Sequence, residues 1–213
     1  MVFLESLRSN YALSGLHETD LLGNPFQQFQ RWLEQAIAAE LPEPNAMTLA
    51  TLSKEGKPIA RMVLLKGLDE KGFVFYTNYD SAKGKQLTET DSAALVFWWA
   101  GLERQVRVEG MVEKVSSEES DAYFQSRPKA SQLGAWASPQ SQVIENRDVL
   151  EKRLAELEEK YATEKVPRPP HWGGFRVIPT AIEFWQGRPS RLHDRIRYEL
   201  DEKRDWFYQR LAP

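Results

Sequence analysis

The sequence predicts a mainly β fold with helices, an antiparallel barrel with helices packed around it, and three observations point there. Apolar stretches at 46–52, 61–68 and 72–78 follow one another across Lys-Glu-Gly-Lys and Asp-Glu-Lys-Gly turn signals, the pattern of a β-meander. Strand-like segments recur downstream at 93–99, 104–115, 174–183, 191–200 and 206–211. The strands do not alternate regularly with helices and no Gly-rich phosphate loop occurs, which sets aside a parallel nucleotide-binding sheet.

The helices are read from periodicity and caps. Phe26, Phe29, Trp32, Leu33, Ala36 and Ile37 recur at helical spacing behind Asn24 as cap and Pro25 in the first turn, and the prolines at 42 and 44 end that run. Ser116 with Glu119 offers a capping box for a helix through Phe124. Pro128 disfavours helix at Arg127 and suits the first turn of a new one, which places Ser131 near a helix N-terminus. A charged amphipathic helix is expected over 143–162, followed by a proline-rich link. No internal repeat interrupts this, and 213 residues suit one domain over 1–213, with 1–20 expected as a mobile N-terminal segment.

Composition bounds the function. A hydrophobic share of 41% against 28% charged residues is that of a chain that folds. The net charge of −3 provides no global basic field, so nucleic acid and membrane are not expected partners and any anion site must be local. The absence of cysteine excludes disulfides, thiolate metal sites and a cysteine nucleophile. Residues 1–10 lack a basic stretch leading into an apolar one, and no apolar run of about 18 residues occurs; a cytoplasmic location is the expectation. The three histidines show no ligand spacing, so no metal site is expected.

Three segments carry candidate chemistry. Arg127, Lys129 and Ser131 combine cations with a helix N-terminus, a corner that suits phosphate, and Tyr123 four residues earlier can share a face with Arg127. The same residues also describe an ordinary interhelical turn with solvated charges. Arg191, His193, Arg195 and Arg197 alternate, so one continuous strand would line up four cationic or titratable groups on one face. A solvent-facing strand neutralised by Asp194 and Glu199 accounts for them equally. Arg61 and Lys66 bracket the apolar run Met62, Val63, Leu64 and Leu65; strict alternation separates the two cations, so a shared site needs a bulge or a ligand at the strand end. Their alternative is snorkelling at strand ends.

Taken together, several stretches resemble the pyridoxine/pyridoxamine 5′-phosphate oxidases. They are Arg-Met-Val-Leu-Leu-Lys at 61–66, Phe-Tyr-Thr-Asn at 75–78, Leu-Glu-Arg-Gln-Val at 102–106, Tyr-Phe-Gln-Ser-Arg-Pro at 123–128, Ser-Gln-Leu-Gly-Ala-Trp at 131–136, Trp-Gly-Gly-Phe-Arg at 172–176, Ile-Glu-Phe-Trp-Gln-Gly at 182–187, Arg-Leu-His-Asp-Arg at 191–195 and the terminal Arg-Leu-Ala-Pro. The resemblance implies an FMN-binding split barrel, Greek-key-like in topology. It also implies a homodimer with FMN between the subunits, and oxidation of phosphorylated B6 vitamers by O2. Its implied FMN contacts are Arg61, Met62, Val63, Leu64, Leu65, Lys66, Tyr76, Thr77, Lys83, Gln105, Gln140, Ser141, Trp185 and Arg195. Its implied substrate contacts are Lys66, Tyr123, Arg127, Ser131, Arg191, Leu192 and His193, with Arg8, Ser9, Asn10 and Tyr11 folding over the substrate; Arg191 and His193 are the implied catalytic groups.

One position departs from the family pattern. Ala82 stands where an arginine usually helps hold the FMN phosphate, and Lys85 is a candidate replacement. That departure keeps a non-enzymatic FMN or pyridoxal phosphate carrier in view, beside a split-barrel flavin reductase acting on another substrate.

Overall fold

The computed structural model of the chain describes residues 10–213; Arg8 and Ser9 lie outside the described residues. Helix α1 (Pro25–Ala38) starts where Asn24 accepts hydrogen bonds from the N–H groups of Phe26 and Gln27. The chain then runs β1 (Ala46–Leu52), β2 (Pro58–Leu64), β3 (Gly67–Asp69), β4 (Gly72–Asn78), α2 (Ala82–Thr90), β5 (Ser92–Trp99) and β6 (Arg104–Lys114). Helices α3 (Ser117–Ser126), α4 (Lys129–Ala137) and α5 (Asp148–Lys160) follow, and β7 (Trp172–Gln186), β8 (Asp194–Leu200) and β9 (Trp206–Leu211) complete it. None of the described helices is long and apolar enough to cross a membrane.

All strand pairs are antiparallel, in the order β2-β1-β5-β6-β7-β4-β3, with β8 and β9 joined to β7 in turn. The two ends of that path, β2 and β3, are consecutive in the chain. Between them the Leu65 N–H donates to the Asn45 carbonyl and the Lys66 N–H to the Val74 carbonyl, which curls the sheet back on itself. Inside the curl, α1 lays Phe29 edge-on to Phe73 and Phe97, at ring separations of 4.9 and 4.8 Å, and Trp32 edge-on to Phe184 at 5.2 Å. A second, smaller core of Phe124, Leu133, Tyr161, Val166 and Trp172 lies under α3, α4 and α5.

Strand β7 organises the sheet. One edge pairs with β6 along its length; the other is divided between β4, facing Trp172–Val177, and β8, facing Ala181–Gln186. Pro179 sits at the division, where that edge has no partner and a missing N–H costs nothing. Opposite it, β6 bulges between Glu109 and Gly110, and a Cβ on Gly110 would lie 2.1 Å from the Ile178 carbonyl oxygen.

Most expected elements are present, and the differences have physical reasons. The expected strand 61–68 is two strands, because Leu65 and Lys66 form the barrel-closing corner. Helix α2 has no counterpart in the sequence pattern: it is short, polar and carries a glycine, and its start is set by Ser81 accepting from the Gly84 N–H. The helix expected from 143 begins at Asp148, with Val143 fully exposed. The strand expected from 191 begins at Asp194, because Ser190 and Arg191 adopt left-handed φ of 58° and 62°.

Gly110→Ala should destabilise the fold by about 1–3 kcal/mol or more, because the intruding methyl meets backbone and not a movable side chain. A methyl added at Gly134, in α4, would have nothing within 4 Å, so Gly134→Ala should be neutral or stabilising by roughly 1 kcal/mol. Urea unfolding of the two variants measures the difference, and equal stabilities would remove the bulge from this account.

Candidate functional site

A cleft of about 350 Å³ opens where the barrel-closing corner meets β4 and the end of α3. Met62, Val63, Leu64 and Lys66 form one side, Tyr76, Thr77 and Lys83 the floor, and Tyr123, Arg127 and Gln140 the other side. Asn78 and Trp172 also line it and were not singled out from sequence, although Trp172 opens the Trp-Gly-Gly stretch. An adjoining cleft of about 290 Å³ shares Arg127, Gln140 and Trp172 and adds Ser131 from the first turns of α4.

Its wall is built from stacked rings. Tyr76 lies on Tyr123 at 3.9 Å and 16°, and Trp172 continues the stack from Tyr76 at 5.5 Å and 11°. Arg127 places its guanidinium 4.7 Å from the Trp172 ring centre, and its Nη1 is buried without a hydrogen-bond partner. Burial holds the Arg127 pKa below its ordinary value, and burial followed by the nearby Glu119 pushes the Tyr76 hydroxyl up to about 12. A buried, unpaired guanidinium N–H costs free energy that an anion would recover.

Lys83 donates to Thr77 Oγ1 at 3.3 Å, and Thr77 donates to Gln140 Oε1 at 3.2 Å. Burial, then the charge of Arg61, lowers the Lys83 pKa. Arg61 reaches over β1 to Thr51 Oγ1 and Gln86 Oε1, at 2.6 and 3.0 Å. Among the described residues Arg61, Lys66, Lys83 and Arg127 have no carboxylate partner. Arg107, Arg168, Arg176, Arg195, Arg197 and Arg210 each have one.

A second group stands at the other end of β7. Trp98, Gln105, Trp185 and Arg195 face one another across β5, β6, β7 and β8 in one row. Arg195 donates to both oxygens of the buried Glu183, at 2.9 and 3.2 Å, which raises its pKa. His193 packs 4.5 Å from Trp185, and Tyr11 lies edge-on to both rings at 5.7 Å. Arg191 and Leu192 are exposed on the loop before β8, and Asn10 is exposed before Tyr11.

Several expectations are corrected. The row of four cations on one strand face does not exist: Arg191 and His193 precede the strand, and Arg197 is bound to Glu109 and Glu199. Lys129 leaves the phosphate corner to donate to the Tyr161 and Ala162 carbonyls. Lys85 is exposed and lines neither cleft, whereas Lys83, next to Ala82 in the chain, lines the first. Leu65 turns its side chain into the core, which leaves its backbone to meet a ligand, and Ser141, beside Gln140 of the cleft, is exposed at φ 70°; neither placement overturns the FMN contact that the resemblance implies.

A curled antiparallel sheet closed around α1, with a cationic, ring-walled cleft at its seam, defines a split-barrel protein. The chain belongs to the pyridoxamine 5′-phosphate oxidase family of oxidoreductases: residues 33–161 match the family described as pyridoxamine 5′-phosphate oxidase, and residues 172–213 match the pyridoxine 5′-phosphate oxidase C-terminal dimerisation region. It is 67% identical to a pyridoxine/pyridoxamine 5′-phosphate oxidase of Synechocystis sp., covering 100% of this chain and 99% of that one. Among solved structures, PhzG from Burkholderia lata 383, in complex with tetrahydrophenazine-1-carboxylic acid, superposes with a TM-score of 0.90 at 31% identity, over 96% of this chain and 100% of that one. A pyridoxamine 5′-phosphate oxidase-related, FMN binding protein from Nostoc punctiforme shares the fold, with a TM-score of 0.73 at 18% identity over 91% of this chain and all of that one.

The orphaned guanidinium makes the cleft an anion receptor in the ligand-free chain. Inorganic phosphate should therefore raise the melting temperature, by an amount equivalent to about 2.7 kcal/mol at a hundredfold excess over its dissociation constant. Arg127→Met should reduce that rise while keeping most of the packing on Trp172. An unchanged phosphate response in the variant would place the anion elsewhere.

Proposed function

We propose that this chain oxidises pyridoxine 5′-phosphate and pyridoxamine 5′-phosphate to pyridoxal 5′-phosphate, with FMN as cofactor and O2 as oxidant. The observation that carries the reading is the cleft's three cations without carboxylate partners, Lys66, Lys83 and Arg127, the last with a buried orphan nitrogen, in a chain whose net charge is −3. Such a site fits phosphate esters and would repel few other features of an aromatic ring lying on Tyr76 and Tyr123.

In this reading Lys66, Tyr123, Arg127 and Ser131 hold the substrate phosphate. Arg61, Lys83, Thr77 and Gln140 hold the phosphate end of FMN, taking up the role that Ala82 cannot perform. Met62, Val63, Leu64 and Tyr76 flank the cofactor, and Gln105, Trp185 and Arg195 meet it from the second group. Bound FMN would supply the two-electron oxidation of the substrate C4′ carbon, with O2 as final acceptor and H2O2 as its product. Arg191 and His193 orient the substrate ring so that the reacting carbon is held in place. For the amine substrate, water hydrolyses the oxidised imine and releases ammonia.

The two groups stand at opposite ends of β7, separated by roughly 40 Å of strand path. That path is longer than a mononucleotide, which supports a site whose second group comes from another chain. A second copy, joined through the 172–213 region, supplies the missing half, so each site draws on both subunits.

Oxygen uptake and peroxide formation by FMN-reconstituted protein with each phosphorylated vitamer test the reaction; binding without turnover would leave a carrier. Arg127→Ala should raise the apparent KM for the phosphorylated substrate more than about tenfold and leave unphosphorylated pyridoxine unaffected. Subunit sharing is tested by co-expressing Arg127→Ala and Arg195→Ala chains under separate tags. In the heterodimer one site carries both lesions and the other neither, so about half the wild-type activity should return. Heterodimers no better than either parent would place each site within one chain.

A further inference from the structure

The loop that carries His193 holds more information than its residue types. The Arg188 backbone N–H donates to His193 Nδ1 at 3.1 Å, and the Leu192 N–H donates to the Pro189 carbonyl at 3.2 Å, so residues 188–193 form a closed ring. Ser190 and Arg191 take up the left-handed turn that the closure demands. The imidazole packs in a mutual cluster with Trp185 and Tyr11, and buried Gly187 leaves no room for a side chain, since a Cβ there would lie 2.7 Å from the Tyr11 ring. A flip of the ring would put Cδ2 in place of Nδ1 and forfeit the Arg188 hydrogen bond, and the contacts with Trp185 and Tyr11 oppose it.

An N–H pointing at Nδ1 settles the ring's protonation. Two donors cannot share one hydrogen bond, so Nδ1 carries a lone pair and the single ring proton resides on Nε2. We propose that the Arg188 backbone N–H locks His193 as the neutral Nε2–H tautomer, so that it meets the substrate ring as a hydrogen-bond donor and takes no proton from it. The groups facing the imidazole agree with this. Burial opposes a positive charge on the ring, as does Arg191 on the same loop, and both lower the His193 pKa. Asp194, which pulls the other way, has its oxygens engaged by the Leu16 N–H and Arg210, with Arg188 3.5 Å away. Tyr11 contributes a ring edge, and Glu103, across Gly187, accepts from the Leu13 N–H.

The tautomer follows from the loop alone; the identity of its partner rests on the proposed oxidase reading. On that reading the acceptor is a polar group of the substrate ring, and an Nε2–H donor favours the form of that group that carries negative charge. The proton lost from the substrate's alcohol or amine as hydride leaves C4′ then goes to solvent or to another group, and His193 is an orienting donor rather than a base.

Nitrogen NMR of the FMN-loaded protein labelled at histidine reads the tautomer without turnover. With three histidines in the chain, His193→Gln identifies the signal by its loss, and if that variant fails to fold, His17→Gln and His171→Gln identify it by elimination. The expected result is a pyridine-type Nδ1 and a pyrrole-type Nε2 that persist below pH 6.5, the ordinary histidine value. The opposite tautomer, or titration at or above that value, overturns the proposal. Kinetics give a second reading. Glutamine can place an N–H near Nε2, so His193→Gln should reduce flavin about tenfold faster than His193→Ala at saturating substrate, with the acid limb of the wild-type pH profile unchanged. Loss of that limb in the glutamine variant would mean that His193 titrates during turnover, which also overturns the proposal. Failure of oxygen uptake would sink the oxidase reading and leave the NMR result standing.

Discussion

The structure depends on β7 serving two sets of neighbours. A strand that pairs with β4 over its first half and β8 over its second must turn its edge between them, and Pro179 opposite the Gly110 bulge is where it does so. Because Trp172 and Trp185 are parts of one strand, the ring-walled cleft and the His193 loop are fixed relative to each other by backbone hydrogen bonds, not by flexible connections. A change at the bulge would alter both ends together.

Charge follows the same division. The buried Glu183 neutralises Arg195 and lies 3.6 Å from Arg107, while Glu109 binds Arg107 and Arg197; these pairs cross β6, β7 and β8 as a ladder. Since a buried carboxylate is stable only when paired, Glu183 and Arg195 fix each other's position. The cleft does the reverse. Its cations are stabilised by Thr51, Thr77, Gln86 and ring faces, neutral groups that hold them in place without cancelling their charge. An anion arriving there meets charge already arranged for it.

Much of this was legible in the sequence, where local chemistry decides the outcome. The Asn24 and Ser116 caps, the strands at 46–52, 72–78 and 206–211, and the placing of Tyr123 and Arg127 on one face all follow from spacing. What escaped was decided by tertiary contacts. No periodicity reveals that Arg191 sits in a left-handed turn, since only the closed loop around His193 sustains that conformation. Nor does charge counting show that Lys129 caps the end of α5 while Arg127 stays unpaired. Asn78 and Trp172 were invisible as site residues because an apolar strand end looks the same whether it meets core or ligand.

The exposed apolar side chains complete the argument for a site made by two subunits. Met62 and Leu64 line the cleft yet are 62% and 37% exposed, and Trp98 beside Trp185 is 49% exposed. Single exposed apolar residues are ordinary, but these occur at the margins of both half-sites, where a mononucleotide alone would cover only part of them. In the proposed two-subunit site, a second copy would place its Trp185 end against the first copy's cleft and cover both at once. Hydrophobic burial would then drive association, and the ligand would close the gap between a cation set on one chain and a ring-binding set on the other. On that proposal dimerisation is the step that creates the site, each chain contributing a cation set to one site and a ring cluster to the other.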